Sequence, residues 1–151
     1  MPRVEFDMES ELPPDRIRAA LIDFTDRRPE IWPGLSAKEY RVYEVGDTWA
    51  DVREGNGGNV WARERYDWSS PDTVTWTVVE SGFCRPGSFV SARITPRDGG
   101  SRIHVTWDRR PSTVMYRLGL GIIKLTGGAP VKSSIRKGLA RIAAQSPPGS
   151  P

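Results

Sequence analysis

The chain has 151 residues, of which 37% are hydrophobic and 27% charged, and its formal net charge is +3. This length suits one domain, because a single core stops growing only near about 250 residues, and the hydrophobic content argues against global disorder. We therefore expect one domain over residues 1–145. Proline, glycine and serine dominate residues 146–151, which predicts a disordered tail.

Charge, cysteine content and hydropathy exclude several classes of protein. The arginines are scattered and form no block of about five like charges, so we expect no nucleic-acid partner. One cysteine, Cys84, cannot form an internal disulfide. No stretch approaches the roughly 18 apolar residues of a membrane span, and no basic segment leads into an apolar run as in a signal peptide. We expect a cytoplasmic protein with no integral membrane segment, and the pattern does not indicate an oligomeric state.

The first third of the chain predicts a strand followed by two short helices. Apolar and charged residues alternate over Val4–Glu11, which is typical of a strand with one buried face. Pro13-Pro14-Asp15 ends this strand and starts a helix. A second short helix ends at Trp32-Pro33-Gly34.

Six further strands are predicted between short turns rich in glycine, proline and aspartate. Gly46-Asp47 suits a tight hairpin turn, and Gly55–Gly58 predicts the next turn. The predicted strands are Lys38–Val45, Thr48–Glu54, Asn59–Trp68, Thr73–Ser81, Ser88–Thr95 and Arg102–Asp108. Strands this short and this closely spaced indicate an antiparallel meander.

The pattern becomes helical from Ser112 to Gln145. An apolar stripe at helical spacing consists of Val114, Leu118, Ile122, Leu125, Ile135, Leu139 and Ile142. We expect a kink or break in the segment Thr126–Pro130, because Pro130 lacks a backbone donor. The fold class is therefore α+β, with a seven-stranded antiparallel sheet wrapped around a long C-terminal helix. The two short helices would close one end and leave a cavity between sheet and helix.

Four elements of the chain resemble a known superfamily. They are the helix start Pro13-Pro14-Asp15-Arg16-Ile17, the element Arg28-Pro29-Glu30-Ile31-Trp32-Pro33, the turn Asp98-Gly99-Gly100-Ser101-Arg102 and the C-terminal helix. From Val4 to about Ala144 the chain is similar to the START-like, Bet v 1-like helix-grip superfamily (SRPBCC). Within it, the bacterial polyketide cyclase/dehydrase and lipid-transport branch is the most similar. This resemblance implies the helix-grip fold and a hydrophobic ligand, but it does not assign a reaction.

Two carboxylates are candidate catalytic residues. Strand alternation places Glu64 on the apolar face of its strand and Glu80 on that of the next one. In a hydrophobic cavity desolvation raises a carboxyl pKa, which suits a general acid or base. The alternative is structural, because each carboxylate could lie at the cavity mouth or pair with an arginine such as Arg93.

Aromatic and aliphatic side chains form the predicted ligand-binding set, with one arginine. The set is Tyr66, Trp68, Trp76, Phe89, Arg93, Trp107, Met115, Leu118 and Ile122. The alternative is that these residues are ordinary core.

His104 is out of register with its inward neighbours, so we expect it on the convex face. Cys84 lacks a nearby base, which favours a structural thiol. We expect no metal and no cofactor, because the sequence contains no ligand spacing or nucleotide-binding motif that would hold one.

Three functions fit these features. The first is binding or transport of a hydrophobic small molecule, such as a lipid, polyketide or aromatic metabolite, in an internal cavity. The alternative is a polyketide cyclase or dehydratase in which Glu64 or Glu80 transfers protons while Tyr66 or Arg93 orients a carbonyl oxygen. The third is a protein-interaction role for the same fold.

Overall fold

Seven strands and four helices form the part of the chain that the computed structural model describes, residues 3–58 and 60–145. The strands are β1 (Arg3–Ser10), β2 (Arg41–Val45), β3 (Trp49–Gly57), β4 (Val60–Asp67), β5 (Thr73–Ser81), β6 (Phe89–Arg97) and β7 (Gly100–Asp108). The helices are α1 (Pro14–Leu21), α2 (Arg28–Ile31), α3 (Val114–Leu125) and α4 (Ala129–Ala144). The tail predicted over 146–151 lies outside the described residues.

The strands form one antiparallel sheet in the order β1-β7-β6-β5-β4-β3-β2. Strands β2 to β7 are a meander of neighbours, and β1 adds to the free edge of β7. The predicted helix-grip α+β fold is confirmed, including the two short helices after the first strand and the long helix at the C-terminus. Strand β3 continues to Gly57, so the turn predicted over Gly55–Gly58 is shorter than expected.

Alternation along β1 and β7 shows how the strands build the core. Val4, Phe6 and Met8 are buried, and they lie opposite Trp107, Val105 and Ile103, which are buried too. The residues between them on β1 are exposed. Because side chains alternate across a strand, one face of the sheet is apolar and faces the helices.

Helices α1 and α4 cover this concave face. Helix α1 buries Ile17, Ala20 and Leu21, and α4 buries Gly138, Leu139 and Ile142. The side chain of Arg16 joins the two helices, since its Nη2 donates to the carbonyl oxygen of Ile142 at 2.7 Å. The Ile142 carbonyl lies in the last turn of α4 and also accepts from the Gln145 amide at 3.1 Å, so Arg16 adds a second donor at the end of this helix.

The C-terminal helical region is broken at Gly127-Gly128, as the sequence predicts. Gly128 has a φ of 82°, and a Cβ there would lie 2.9 Å from Cγ1 of Val4. Pro130 follows in the first turn of α4, where a missing amide hydrogen costs little. Glycine therefore allows the backbone between the two helices to pass close to β1.

One expectation about this region is wrong. A sheet wrapped around the whole helical region would cover the stripe on α3, but Val114, Leu118, Ile122 and Leu125 are 70%, 70%, 59% and 88% exposed. The inward side of α3 carries Tyr116 and Ile123 instead, and Ile123 packs against the core. Helical periodicity identifies an apolar stripe but does not determine what the stripe contacts, and α3 has apolar residues on two sides.

Candidate functional site

A cavity of about 300 Å³ lies between the concave face of the sheet and the helices. Its apolar wall combines sheet residues such as Trp76, Val90 and Trp107 with Ile17 and Leu139 from α1 and α4. Volume and lining are those of a site for a small apolar molecule.

The cavity reaches the surface between the segment after α2 and the β3–β4 hairpin. Gly34, Asn56 and Val60 line it and are themselves exposed. Trp32 borders the same side and packs on α4 at Gly138, where a Cβ would lie 2.4 Å from the indole ring. A glycine at this position therefore allows the tryptophan to lie directly on the helix.

The side chain of Arg28 forms a buried hydrogen-bond network with Glu54 and Tyr66 in the cavity wall. Arg28 is 3% exposed, its Nε donates to Glu54 at 2.9 Å, and its Nη2 donates to the Tyr66 hydroxyl at 2.9 Å. The Tyr66 hydroxyl in turn donates to Glu54. The third nitrogen of the guanidinium, Nη1, donates to the carbonyl oxygen of Leu21 at 2.8 Å. Helix α2 and strands β3 and β4 are thereby fixed to one another.

Burial and charge act in opposite directions on this network. Burial disfavours the charge on Arg28, but Glu54 and Tyr66 outweigh it and hold the pKa of Arg28 above its ordinary value. Burial, together with the nearby Glu54 carboxylate, raises the pKa of Tyr66 well above 10.0. Arg28 is therefore a permanent cation and Tyr66 a neutral phenol, which can donate its proton only in a hydrogen bond.

A second buried ion pair lies in the same wall. Arg109, directly after β7, donates through Nη1 to Glu64 on β4 at 3.1 Å, and their side chains are 13% and 5% exposed. Within the described residues the Arg109 guanidinium forms no other hydrogen bond, so its remaining donors are available to a ligand oxygen. Burial raises the pKa of Glu64 above 4.5, although Arg109 partly offsets this effect. The pair thus offers both a cation and a proton-accepting carboxylate.

The single cysteine and the single histidine lie apart from this chemistry. Burial raises the pKa of the Cys84 thiol to about 11, so the thiol is protonated and structural, as the sequence favours. His104 lies on the outer face of the sheet, as expected, with its ring nitrogens 3.0 Å from Asp7 and 3.3 Å from Glu5.

The structure brings four of the predicted site residues together. Glu64, Tyr66, Trp76 and Trp107 line the cavity, and the rings of Tyr66 and Trp76 stack at 5.4 Å. Trp68 is outside the wall and stacks on Phe24 at 5.7 Å. The others outside it are the half-buried Phe89 and the exposed Met115, Leu118 and Ile122.

Glu80 and Arg93 are also outside the cavity, and a bulge explains the first of these. Glu64 pairs with Val78, whereas its neighbour Arg63 pairs with Glu80, so Val79 is an extra residue in β5. A bulge reverses the alternation beyond it, and Glu80 is exposed. Arg93 alternates with the buried Ala92 and Ile94, which places it on the outer face. The arginine that pairs with Glu64 is Arg109.

Three polar residues of the cavity were missed at the sequence level: Arg28, Glu54 and Arg109. Glu54 is in phase with the buried Ala50 and Val52, so alternation along β3 could have identified it. Arg28 and Arg109 lie outside the strands, where no alternation applies. Only the folded chain shows that they point into the cavity.

An antiparallel sheet curved around a long helix, with an apolar cavity containing a few buried charges, defines the helix-grip class of ligand-binding domains. The chain belongs to the polyketide cyclase/dehydrase and lipid transport family, whose model matches residues 1–146.

Solved structures show the same fold at low sequence identity. The Zhui aromatase/cyclase from Streptomyces sp. R1128 has a TM-score of 0.74 and 14% identity, with 98% of each chain covered. A START superfamily protein from Mycobacterium smegmatis has a TM-score of 0.74 and 11% identity, covering 95% of this chain and 99% of its own. The protein TTHA0849 from Thermus thermophilus has a TM-score of 0.73 and 17% identity, covering 96% and 100%.

A search of the curated proteins finds no match. Among the described residues, no group of three or more His, Cys, Asp and Glu side chains could hold a metal ion. In the same part of the chain, no helix has the length and apolar character needed to cross a membrane.

Proposed function

We propose that the protein binds a hydrophobic small molecule, such as a lipid, polyketide or aromatic metabolite, with a ligand oxygen against Arg109. The observation that carries this proposal is the apolar cavity with the Glu64–Arg109 pair in its wall. A hydrogen bond from a desolvated guanidinium is strong, whereas the apolar wall contributes affinity in proportion to the area it buries. A ligand with an apolar body and one carbonyl, carboxylate or hydroxyl oxygen fits both features.

Two neighbouring serines on α4 allow a matched test. Ser134 lines the cavity, whereas Ser133 is exposed and does not. A tryptophan at position 134 would occupy the cavity, and the same residue at 133 would point into solvent. We expect Ser134→Trp to abolish saturable binding of the fluorescent probe 1-anilinonaphthalene-8-sulfonate and Ser133→Trp to leave it unchanged. Equal binding by both variants would contradict the proposal.

Native mass spectrometry of protein purified from its own host would identify the ligand. We expect the wild type and Ser133→Trp to retain a bound small molecule that Ser134→Trp lacks. An apolar mass with one or more oxygens supports the proposal, whereas three ligand-free proteins that bind no probe would end it.

The second candidate function is proton transfer in a polyketide cyclase or dehydratase reaction. It is favoured by Glu64, a carboxylate with a raised pKa that lies beside a guanidinium in the cavity. Glu64 would remove a proton from the carbon next to a substrate carbonyl. The electron pair of that C–H bond forms a carbon–carbon double bond, and the π electrons of the carbonyl move onto its oxygen, whose negative charge Arg109 stabilises.

This candidate is tested by hydrogen exchange on an aromatic ketone. We expect the wild type to accelerate deuterium incorporation next to the carbonyl of 2-tetralone in D₂O. Glu64→Gln should reduce this rate acceleration by a factor of about 100 or more. Glu80→Gln is the matched control, because Glu80 is exposed on the outer side of the bulge. No acceleration by the wild type, or equal loss in both variants, would argue for binding alone.

A further inference from the structure

Helix α3 presents a continuous apolar stripe to solvent. Successive residues of a helix are turned by about 100°, so the five exposed apolar residues fall within an arc of about 100°. They are Val114, Met115, Leu118, Ile122 and Leu125, with exposures from 59% to 88%. Scattered exposed leucines are ordinary, but a contiguous stripe on one helix marks an interaction surface.

Two contacts hold the opposite side of α3 against the domain. Tyr116 packs on Phe83, with ring centroids 5.7 Å apart, and Phe83 lines the cavity. At the other end, Ile123 packs against the core. The helix also has a side-chain N-cap, since Thr113 accepts from the Tyr116 amide. The stripe therefore belongs to a formed, attached helix and not to a fraying segment.

Charge in the segment that carries the stripe is entirely of one sign. All 19 acidic residues precede Arg109, whereas residues 109–145 contain eight lysines and arginines. The charged residues of α3 itself are Arg117 and Lys124. In the helical projection they fall together on one flank of the stripe, about 60° to 80° from its nearest edge.

The apolar stripe and the basic residues beside it together indicate which kind of partner covers α3. A second copy of the chain would bring an equally basic segment against the first, and like charges in contact repel. An anionic phospholipid surface matches both properties, because its headgroups attract the basic residues and its acyl boundary accepts the apolar side chains.

We propose that α3 docks in the interfacial plane of an anionic phospholipid bilayer, with the Val114, Met115, Leu118, Ile122 and Leu125 stripe inserted at the headgroup boundary. This docking goes beyond the proposed ligand binding and does not require the cavity to be occupied. Vesicle binding and ligand binding therefore fail or succeed independently.

Co-sedimentation with vesicles tests the proposal. We expect the wild type to bind vesicles of equal parts phosphatidylglycerol and phosphatidylcholine and to bind pure phosphatidylcholine much more weakly. The double variant Leu118→Ser/Ile122→Ser should bind the anionic vesicles more than about tenfold more weakly, because two apolar side chains no longer insert. Arg117→Gln should weaken binding by about fivefold, and high salt should weaken it for every variant.

The matched control is Val45→Ser/Val79→Ser. Each of these valines is 52% exposed, and they lie on β2 and β5, away from α3. This variant should bind vesicles like the wild type, and thermal unfolding should show all variants folded. Equal binding by both double variants, no vesicle binding, or equal binding to neutral vesicles would overturn the proposal. So would a dimer in light scattering that Leu118→Ser/Ile122→Ser converts to monomer, because a second copy would then cover the stripe.

Discussion

Helices α3 and α4 are consecutive in the chain, each has one apolar face, and neither contains an acidic residue. They differ in whether that apolar face is buried. Helix α4 buries Leu139 and Ile142 against the sheet, whereas α3 exposes Leu118 and Ile122. The difference lies in their surroundings. Helix α4 lies over the concave face and against Trp32, while α3 crosses outside it and touches the domain through its other side. The same amphipathic pattern therefore stabilises the fold in one helix and is available for an interaction in the other.

Buried and exposed ion pairs differ in the same way as the two helices. Breaking the buried pair is expected to have the largest effect on stability. Arg109→Gln leaves Glu64 buried without its partner, and we expect this to lower the free energy of unfolding by about 3 to 5 kcal/mol at pH 8. The matched change Arg97→Gln breaks a 3.0 Å pair with Glu9 whose side chains are 41% and 52% exposed, and it should cost less than about 1 kcal/mol.

The effect of Arg109→Gln should depend on pH. Burial raises the pKa of Glu64 in the folded protein above 4.5, and removal of Arg109 raises it further. A folded-state carboxyl with a raised pKa binds its proton more tightly than the unfolded chain does, so stability falls as pH rises through that range. Urea unfolding should show a smaller loss at pH 5 than at pH 8. A loss independent of pH would mean that Glu64 is not the group left without a partner.

Truncated leucines compare the two helices directly. Leu139→Ala removes buried volume from α4 and should lower the free energy of unfolding by about 2 to 5 kcal/mol. Leu118→Ala changes an exposed position of α3 and should stay within about 0.5 kcal/mol of the wild type. Urea unfolding of the two variants measures both. A loss above about 1 kcal/mol for Leu118→Ala would show that the α3 stripe is covered within the folded molecule.

A glycine from each helix tests the comparison further, because the two glycines have different surroundings. A Cβ at Gly138 of α4 would lie 2.4 Å from the Trp32 ring, whereas one at Gly119 of α3 would meet nothing within 4 Å. We expect Gly138→Ala to destabilise the fold by about 1 to 3 kcal/mol through overpacking. Gly119→Ala should stabilise it by up to about 1 kcal/mol through helix propensity. Thermal unfolding measures both, and equal signs would contradict the placement of the two helices.

The same contrast explains how far the sequence could predict this molecule. Strand alternation correctly placed Glu64 and Tyr66 on the inner face, because β4 keeps its period of two through both residues. It failed for Glu80, where one extra residue in β5 reverses the faces. A single-residue bulge leaves no mark in an apolar pattern, so no counting of alternation would have found it.

Residues outside the regular strands were harder to place from the sequence. The fold follows from local patterns of turns and apolar periods, and these predicted the sheet and the break between α3 and α4. The partner of Glu64 depends on where the chain leaves β7, which is a property of the tertiary structure. Sequence reasoning therefore offered Arg93, which lies on β6 and on the outer face of the sheet.

The smallest expected effect lies on the outer face of the sheet, at His104. Hydrogen bonds to Asp7 and Glu5 raise the pKa of His104 above 6.5. A raised histidine pKa contributes stability that is fully present below the unfolded value and is lost as pH rises through the folded value. The side chain is 39% exposed, so solvent screens the interaction and we expect less than about 1 kcal/mol. His104→Gln should therefore be slightly less stable than the wild type at pH 5.5 and equal to it at pH 9, and added salt should shrink the difference at pH 5.5. A variant less stable by the same amount at both pH values would show that the imidazole acts through packing and not through its charge.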